Sequence, residues 1–397
     1  PRSTPKPSSA ASDVYKRQCI LSPTEILANQ HFDSISKLLE DFNINVEILT
    51  GSTPQKSRNR IHQKLLNQEI HILIGTHAIL EDIVKFKNLG LAIIDEQHRF
   101  GVAQRAKLWK KNTSPPHILV MTATPIPRTL AMSVYGDLDI SIIKELPPGR
   151  KKTTTVHRYD KDRLSVYKFL KDQIKLGRQV YIVYPLINES EKLDYKDLVD
   201  GYESMLRDFP RPEYQVGILH GKMKSIDKNI EMERFVNNKT QILVSTTVIE
   251  VGVNIPNASV MMIESSERFG LSQLHQLRGR VGRGNDESYC ILMTKDNLSN
   301  DAKTRTDTMV QIDDGFKLSE VDLKLRGPGD VLGTKQSGVL KFKIADIIHD
   351  HDILSNARDC VSEILSNDPK LKSPSNSLIR EYISQSGKSK NLWRYIS

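Results

Sequence analysis

The chain of 397 residues carries 57 lysine and arginine residues against 48 aspartate and glutamate residues, a formal net charge of +9. This length allows roughly two or three domains with separate cores. The positive surplus favours a polyanionic partner, although a merely basic enzyme is also compatible with it. The 3 cysteines are widely spaced, which argues against a disulfide framework and a Cys-x-x-Cys metal site. With no apolar run as long as a membrane span, we expect a cytoplasmic protein without a membrane partner.

Residues 1–18 are rich in proline, serine and alanine and have no hydrophobic period, so we expect them to be unstructured. Residues 10–18 also resemble translated adaptor sequence, and we expect this segment to be non-native. From Cys19 onward the pattern predicts a strand end, a proline in the first helical turn and an amphipathic helix. The residues expected to face inward on this helix are Ile26, Leu27, Phe32, Ile35 and either Leu38 or Leu39.

Short apolar runs predict further strands at residues 46–49, 70–74 and 118–121. Each run is followed by a polar turn, and the turns read Thr50-Gly51-Ser52, Gly75-Thr76-His77 and Thr122-Ala123-Thr124-Pro125. Small and hydroxyl-bearing residues let backbone amides approach phosphate groups closely, so these turns could follow a nucleic-acid backbone. For any single turn, ordinary turn chemistry is the stronger explanation.

Residues 91–102, LAIIDEQHRFGV, predict a buried parallel strand that ends in two adjacent carboxylates, Asp95 and Glu96. Ligands of open α/β sheets bind at this carboxyl edge. Phosphoryl transfer from a nucleotide needs one carboxylate to hold Mg²⁺ and another to orient or deprotonate the attacking water. We assign the metal to Asp95 and the water to Glu96. Taken alone, an acidic pair after a strand is more often a helix N-cap or a solvated turn.

Residues 146–155, LPPGRKKTTT, change the composition abruptly and predict a domain boundary. Beyond it the alternation of strands and helices resumes. Helices are predicted at residues 161–174, up to about 209, and 226–235, and strands at 179–184, 216–219, 241–244 and 260–263. Two consecutive arrays of this kind predict two similar parallel-sheet lobes that face one cleft.

Residues 275–284, HQLRGRVGRG, present Arg278, Arg280 and Arg283 among glycines. Guanidinium groups on such a segment can reach a partner lobe and neutralise charge on a transferring phosphate, the arginine-finger role. The alternative is nucleic-acid backbone binding by an arginine and glycine tract. Gln276 and the spacing of the arginines after a predicted strand and helix favour the nucleotide.

In order along the chain, these motifs resemble those of superfamily 2 helicases. The quoted segments are PTEILANQH, LTG, GTHA, DEQH, TATPIPRT, YPLINES, STTVIEVGVNIP and QLRGRVGRG. Residues 315–338, GFKLSEVDLKLRGPGDVLGTKQSG, narrow the resemblance to RecG-type branch-migrating DNA helicases. Transcription-repair coupling factors share the motor motifs but resemble the chain less closely. The resemblance implies an α/β fold with two RecA-like parallel-sheet lobes followed by a helical hairpin and loop extension.

The implied division of the chain places the first lobe at residues 19–148 and the second at 149–290. A translocation hairpin and loop would occupy residues 291–345, and a helical tail residues 346–397. In the tail, Ile347, Ile348, Ile353 and Leu354 form an apolar stripe that we expect to be core, without chemistry.

The resemblance implies an ATP- and Mg²⁺-dependent 3'-5' DNA helicase or double-stranded DNA translocase. It would act as a monomer on stalled forks and Holliday junctions, with a single-strand-binding protein as a further partner. Asp95 and Glu96 keep the roles given above, and nucleotide contacts fall to Gln276, Arg280, Arg283, Gly252 and Asn254; many helicases carry Asp in place of Asn254. Coupling of nucleotide to DNA falls to His98, Thr122 and Thr124. DNA contact or translocation falls to Thr24, Gly51, Thr76, Ser245, Thr246, Arg326 and Gln336.

One departure from the family pattern is large. Family members carry an upstream wedge domain and a glycine-rich phosphate loop ending in Gly-Lys-Ser/Thr. The similar triplet here is Gly387-Lys388-Ser389, but Tyr382 stands where the first glycine belongs. Without that loop we expect no tight ATP binding and little hydrolysis by this chain alone. The competing hypothesis is a non-catalytic module that binds DNA through its basic surface.

Overall fold

The computed structural model describes residues 17–101, 104, 107–108, 111, 115–123, 141–143, 145, 150–185, 191–246, 255–284, 286–326 and 350–385. Its strands are β1 (Arg17–Leu21), β2 (Val46–Leu49), β3 (Ile72–Gly75), β4 (Leu89–Ile94), β5 (His117–Val120), β6 (Thr153–Tyr159), β7 (Gln179–Val183), β8 (Val216–Leu219), β9 (Ile242–Ser245), β10 (Ala258–Ile263) and β11 (Ser288–Thr294). Its α-helices are α1 (Glu25–Leu38), α2 (Gln55–Leu66), α3 (Arg163–Lys175), α4 (Glu191–Asp208), α5 (Ser225–Val236), α6 (Leu271–Arg278), α7 (Asn300–Gln311), α8 (Gly315–Arg326), α9 (His351–Asn367) and α10 (Ser377–Gln385).

The strands form two separate parallel sheets, as the sequence predicts. The first has the order β2-β3-β1-β4-β5, and the second has the order β6-β11-β10-β7-β9-β8. Strands β3, β7, β9 and β10 are buried along their whole length. Continuous burial is typical of parallel strands with both faces covered, and it explains why these runs are apolar throughout rather than alternating.

Helix α1 packs against the first sheet through its amphipathic face. The hydroxyl of its N-cap residue, Thr24, accepts a hydrogen bond from the Leu27 backbone N–H. Leu27 is buried, and Leu39 packs against the sheet while Leu38 is 75% exposed. Of Leu38 and Leu39, the two alternatives for the last inward-facing position, Leu39 is the one that faces the sheet.

Three strands differ from their sequence-based expectation. Strand β1 begins at Arg17 rather than Cys19, because Gln18 pairs with Ile72 and the Arg17 N–H donates to the Asn88 carbonyl. Strand β6 arises from threonines that we assigned to the domain boundary. Strand β11 lies between β6 and β10, so the predicted lobe boundary at residue 290 cuts through a strand of the second sheet. Pairing along all of β6 supplies backbone hydrogen bonds that a linker would lack.

Helices α7 and α8 form the start of the extension and pack on the second lobe. Met309 of α7 and Leu318 of α8 belong to the same core as Leu274 and Leu277 of α6. The loop expected after α8 lies outside the described residues.

The C-terminal helices α9 and α10 depart from the expected core stripe, because Ile353 is 65% exposed. Ile347 and Ile348 lie outside the described residues, as does the side chain of Leu354. Across the described ranges, every helix is too short or too polar to cross a membrane.

Candidate functional site

The carboxyl end of β4 presents the two predicted acids, Asp95 and Glu96. The Gln97 N–H donates to the Met121 carbonyl and the Met121 N–H to the Ile94 carbonyl, so the ends of β4 and β5 are held together. Glu96 adopts left-handed backbone angles, φ 49° and ψ 54°. This conformation is costly for a residue with a side chain, and such strain is concentrated at functional sites.

The Asp95 carboxylate is fixed from two sides. One oxygen accepts a hydrogen bond of 2.9 Å from the Glu96 backbone N–H. The other oxygen lies 2.9 Å from Nε2 of His31 on α1. A carboxylate has further lone pairs to offer. Mg²⁺ commonly takes one or two protein carboxylates and completes its shell with water and substrate phosphates. Within the described residues no group of His, Cys, Asp and Glu forms a metal cage. The single Asp95 carboxylate fits a Mg²⁺ ion that shares its remaining positions with water and phosphate oxygens.

Glu96 reaches the second lobe. Its Oε1 lies 3.7 Å from Arg280 Nη2, and the two side chains are 16% and 8% exposed. Burial and then the neighbouring Asp95 carboxylate raise the pKa of Glu96, while the Ala123 N–H and Arg280 oppose the shift. A raised pKa suits a carboxylate that orients or deprotonates water.

The segment after α6 brings two arginines together. Burial lowers the pKa of Arg280, and the pKa of Arg283 falls to about 10 through burial and the charges of Arg280 and Arg150. Gly282 has φ +74°, and a Cβ there would lie 2.6 Å from Ser288 Oγ, so the turn requires glycine. The Arg150 Nε–H donates to the Gly282 carbonyl at 2.9 Å. Close cations of this kind can neutralise an anion in the cleft.

The lobes are in contact around this arginine pair. Ile26 of α1, a first-lobe helix, packs against the core of the second lobe. Gln276, the third predicted residue of this motif, lies on α6 and is half-buried. Of the predicted acids and guanidinium groups, Glu96 of the first lobe and Arg280 of the second lie close together.

Arg278 lies in the same motif but does not face Glu96. Its guanidinium is buried against the end of α7, where it donates to backbone carbonyls. The finger hypothesis consequently fits Arg280 and Arg283, and Arg278 has a different role.

The two lobes share an eight-residue pattern that our sequence analysis missed. Residues 94–101 read IDEQHRFG and residues 263–270 read IESSERFG. Each begins at a strand end, passes through a left-handed residue (Glu96, φ 49°; Ser265, φ 46°) and continues as a 3₁₀ turn. A search for internal repeats would have found it.

The acid of the second copy, Glu264, forms an ion pair with Arg163. Glu264 binds Arg163 through both carboxylate oxygens, with Arg163 Nη2 2.9 Å from Oε2. Arg163 also contacts Asp160 at 2.7 Å, and its hydrogen bond to Glu264 raises its pKa. In the first-lobe copy, by contrast, Glu96 faces Arg280 of the second lobe.

The residues predicted to bind DNA fall into two groups. Thr24 lines a cavity of about 280 Å³ together with Pro23, His77, Arg99, Phe100 and Gln104, and Gly51 is exposed. In contrast, Thr76, Ser245 and Thr246 are 2%, 0% and 3% exposed, and the Ser245 hydroxyl donates to the Thr246 carbonyl. Side-chain contact with DNA by these three residues is therefore not supported, because their side chains are buried at the ends of β3 and β9.

The remaining predicted residues are described incompletely. Thr122 is exposed next to Ala123. For His98 and Arg326 the structure describes the backbone and not the side chain. Thr124, Gly252, Asn254 and Gln336 lie outside the described residues.

Comparison with known families matches three parts of the chain. Residues 9–133 match the DEAD/DEAH box helicase family, and residues 164–285 match the helicase conserved C-terminal domain. Residues 312–397 match domain 3, C-terminal, of ATP-dependent DNA helicase RecG. The chain is 50% identical to ATP-dependent DNA helicase RecG of Bacillus subtilis over 369 residues, covering 93% of this chain and 54% of that protein. The chain belongs to the RecG family.

Further relatives agree with this assignment. The RecG of Synechocystis is 49% identical over 353 residues, covering 89% of this chain and 42% of that protein. A solved structure of RecG bound to a three-way DNA junction superposes with a TM-score of 0.67 at 42% identity, covering 85% of this chain and 43% of that one. The chain spans about half the length of the curated RecG relatives it matches.

A more distant structure shares the fold alone. S. cerevisiae Dbp5 bound to RNA and ADP BeF3 has a TM-score of 0.55 at 14% identity, covering 78% of this chain and 80% of that one. The two-lobe architecture is therefore common to the RecG chain and to helicases of other families.

Proposed function

We propose that this chain is the motor portion of an ATP-dependent DNA helicase of the 3'-5' type, a double-stranded DNA translocase that remodels stalled forks and branch-migrates Holliday junctions. The observation that carries the proposal is the 3.7 Å approach of Glu96 and Arg280 across the two lobes. A nucleotide bound at this place would lie between an acid of one lobe and guanidinium groups of the other. Its hydrolysis would then change how tightly the lobes close.

Each residue of the cleft has a proposed role. Asp95 holds Mg²⁺, which supplies charge neutralisation on the phosphates when it is bound. Glu96 orients the attacking water, and its raised pKa helps it to accept a proton. Gln276, Arg280 and Arg283 face the terminal phosphates, and Gly252 and Asn254 contact the nucleotide from the second lobe.

Comparison of the two sheets supports the expectation that this chain alone hydrolyses ATP poorly. The orders β2-β3-β1-β4-β5 and β8-β9-β7-β10-β11 correspond strand by strand, and the shared eight-residue pattern fixes β4 to β10. The second sheet continues with β6, which leads into α3. Among the described residues, the first lobe has no counterpart of this strand and helix. In the second lobe that unit supplies Arg163, the cation that meets the acid Glu264.

DNA is the proposed macromolecular partner. Support comes from the net charge of +9 and from the cavity where Thr24 lies with Arg99 and His77. The RecG relative of known structure is bound to a three-way junction, which makes branched DNA the proposed substrate. We propose that Arg326 and Gln336 drive translocation, and that His98, Thr122 and Thr124 couple it to the nucleotide.

The proposal includes a monomer that meets a single-strand-binding protein in the cytoplasm. Cys19, Cys290 and Cys360 are free thiols in the described chain, which suits a reducing compartment.

The proposed domain limits keep the first lobe up to residue 148, and the second lobe is extended to Thr294.

A second candidate function is DNA binding without hydrolysis by the polypeptide as it stands. This candidate is favoured because β6 and α3 of the second lobe have no counterpart among the described residues of the first lobe. One experiment separates the two: ATPase activity with branched DNA, measured on this chain and on a version extended upstream to the length of its RecG relatives. We expect DNA-stimulated turnover in the extended version and little in the shorter one. Absence of turnover in both would refute the helicase proposal, and robust turnover in the shorter chain would show that the unmatched unit is dispensable.

A further inference from the structure

Arg278, the last residue of α6, is 5% exposed and makes an unusual set of contacts. Its Nη1 donates to the carbonyls of Met309 and Ile312 at 2.9 and 3.0 Å and to Thr155 Oγ1 at 3.4 Å, and its Nη2 donates to the Asp313 carbonyl and to His275 Nδ1, both at 3.1 Å. Most of these acceptors are backbone carbonyls at the turn between α7 and α8.

The turn between α7 and α8 is a place where carbonyls need partners. The last carbonyls of a helix receive no hydrogen bond from an N–H of the same helix. Burying such a carbonyl without another donor is costly. A planar guanidinium has five donors in a fixed fork, so one arginine can satisfy several of them at once. Arg278 thereby fixes the start of the extension to the end of α6.

Helix α8 is fastened to α6 by two further contacts. The Ser272 hydroxyl lies 3.1 Å from Asp322 Oδ2. Leu318 shares a core with Leu274 and Leu277. The extension therefore rests on the helix that ends in Arg278.

The chain between Arg278 and Arg280 is short and internally hydrogen-bonded. The Arg280 N–H donates to the Leu277 carbonyl at 3.0 Å, and the Val281 N–H donates to the Arg278 carbonyl at 3.4 Å. Val281 is fully buried. Arg278 and Arg280 are two positions apart on this hydrogen-bonded turn, and their guanidinium groups contact different parts of the molecule. Arg278 binds the extension, and Arg280 faces Glu96 of the first lobe.

We propose that Arg278 is a coupling residue that ties the position of the α7–α8 extension to the contact between the lobes. It acts through Arg280 and touches neither the reacting atoms nor DNA. The proposal deepens the proposed function, because it names the route by which closure of the cleft would move the extension. Its test needs neither nucleotide nor DNA, so its failure is distinguishable from a failure of the helicase proposal.

The first half of the test is amide hydrogen exchange on the full 397-residue chain. The reporters are Ile312, whose N–H donates to Thr308, and Leu318, whose N–H donates to Asp314. We expect Arg278→Gln to raise exchange at both amides by about tenfold or more, because several buried acceptors lose a charged donor. The matched control is Asp313→Ala. It removes the half-exposed carboxylate, 3.6 Å from Arg278, but keeps the carbonyl that Arg278 binds, and it should change exchange less than about threefold.

The second half separates coupling from simple support. Glu96→Gln removes the first-lobe charge that Arg280 faces, and we expect it to raise exchange at Ile312 and Leu318 by about threefold in the otherwise unchanged chain. In the Arg278→Gln background the same change should have no further effect at these amides. Arg278→Lys keeps the charge without the fork and should give intermediate values, and it replaces Arg278→Gln if that variant does not fold.

The outcomes are decisive in each case. Unchanged exchange in both Arg278 variants would show that the turn is held by other contacts. An equal response to Glu96→Gln with and without Arg278, or no response at all, would overturn the coupling role and leave Arg278 as a structural residue only.

Discussion

Glu96 and Arg280 stand 184 positions apart and meet at 3.7 Å, each largely shielded from solvent by the two lobes. At this distance, which exceeds that of a hydrogen bond, the two side chains form an ion pair across the lobes. Burial raises the pKa of Glu96 and lowers the pKa of Arg280, so both charges are poorly solvated. This arrangement suits the proposed roles, in which Glu96 orients water and Arg280 faces a phosphate.

The first prediction concerns Glu96→Gln in a version extended upstream to the length of the RecG relatives. Hydrolysis should fall by about two orders of magnitude or more, because the amide cannot accept a proton from water, while nucleotide binding stays intact. Steady-state ATPase and titration with a fluorescent nucleotide measure the two effects. The matched control is Glu40→Gln, an exposed acid after α1, which should leave both unchanged. Equal losses of hydrolysis and binding would remove Glu96 from the role of orienting water.

The second prediction concerns Gly75, where two strands approach too closely for a side chain. A Cβ on this residue would lie 1.9 Å from the Leu49 carbonyl oxygen. Gly75→Ala must therefore push β2 and β3 apart, and we expect it to lower the free energy of unfolding by about 2 to 3 kcal/mol. In the control, Gly101→Ala, the nearest atom is Gln104 Oε1 at 3.8 Å, and the change should stay within about 0.5 kcal/mol. Urea denaturation measures both, and similar values for the two variants would contradict the packing argument.

Much of the fold follows from periodicity, and the parts that do not have identifiable causes. Strands β2 and β8 have the predicted bounds because apolar runs end sharply at polar turns. Strand β6 was missed because its threonines directly follow LPPGRKK, and we assigned both to a domain boundary. Its parallel pairing with β11 is a contact between residues over a hundred positions apart. Local propensity carries no information about such a partner.

The candidate site shows the same division between local and long-range information. The motif around Arg278 and Arg280 indicates cations near a phosphate, but not that the two side chains bind opposite neighbours. That difference depends on where α6 ends and on the position of α7. Similarly, hydroxyl residues after strands suggested DNA contact, whereas Thr76 and Ser245 are buried by neighbouring elements.

The third prediction concerns the ion pair in the second copy of the repeated pattern. Glu264 is 4% exposed and Arg163 binds both of its oxygens. Glu264→Gln removes the buried partner of Arg163 and leaves it only the exposed Asp160, so we expect a loss of about 2 to 3 kcal/mol in the free energy of unfolding. Arg163→Met combined with Glu264→Gln should cost less than the sum of the single changes, because no unpaired charge remains. Thermal or urea unfolding of the four proteins gives the coupling energy. Additive losses would mean that the two residues act independently.

The fourth prediction concerns the pH dependence of the joint between α6 and the extension. Burial, and then the charge of Arg278, lower the pKa of His275 to about 4, while Asp314 and Asp313 oppose the shift. Neutral His275 accepts a hydrogen bond from Arg278, and the protonated ring cannot. A histidine whose folded pKa lies below its unfolded value stabilises the folded state fully above pH about 6.5, and this contribution declines as the pH falls toward 4.

His275→Asn tests this dependence, because the asparagine carbonyl oxygen can accept the same hydrogen bond without titrating in this range. Between pH 7 and pH 4 we expect the unchanged chain to lose roughly 2 kcal/mol more stability than the variant. Urea unfolding at a series of pH values measures the difference, and the exchange of the Ile312 amide locates it at the joint. Parallel stability curves for the two proteins would show that His275 is not held neutral by its surroundings.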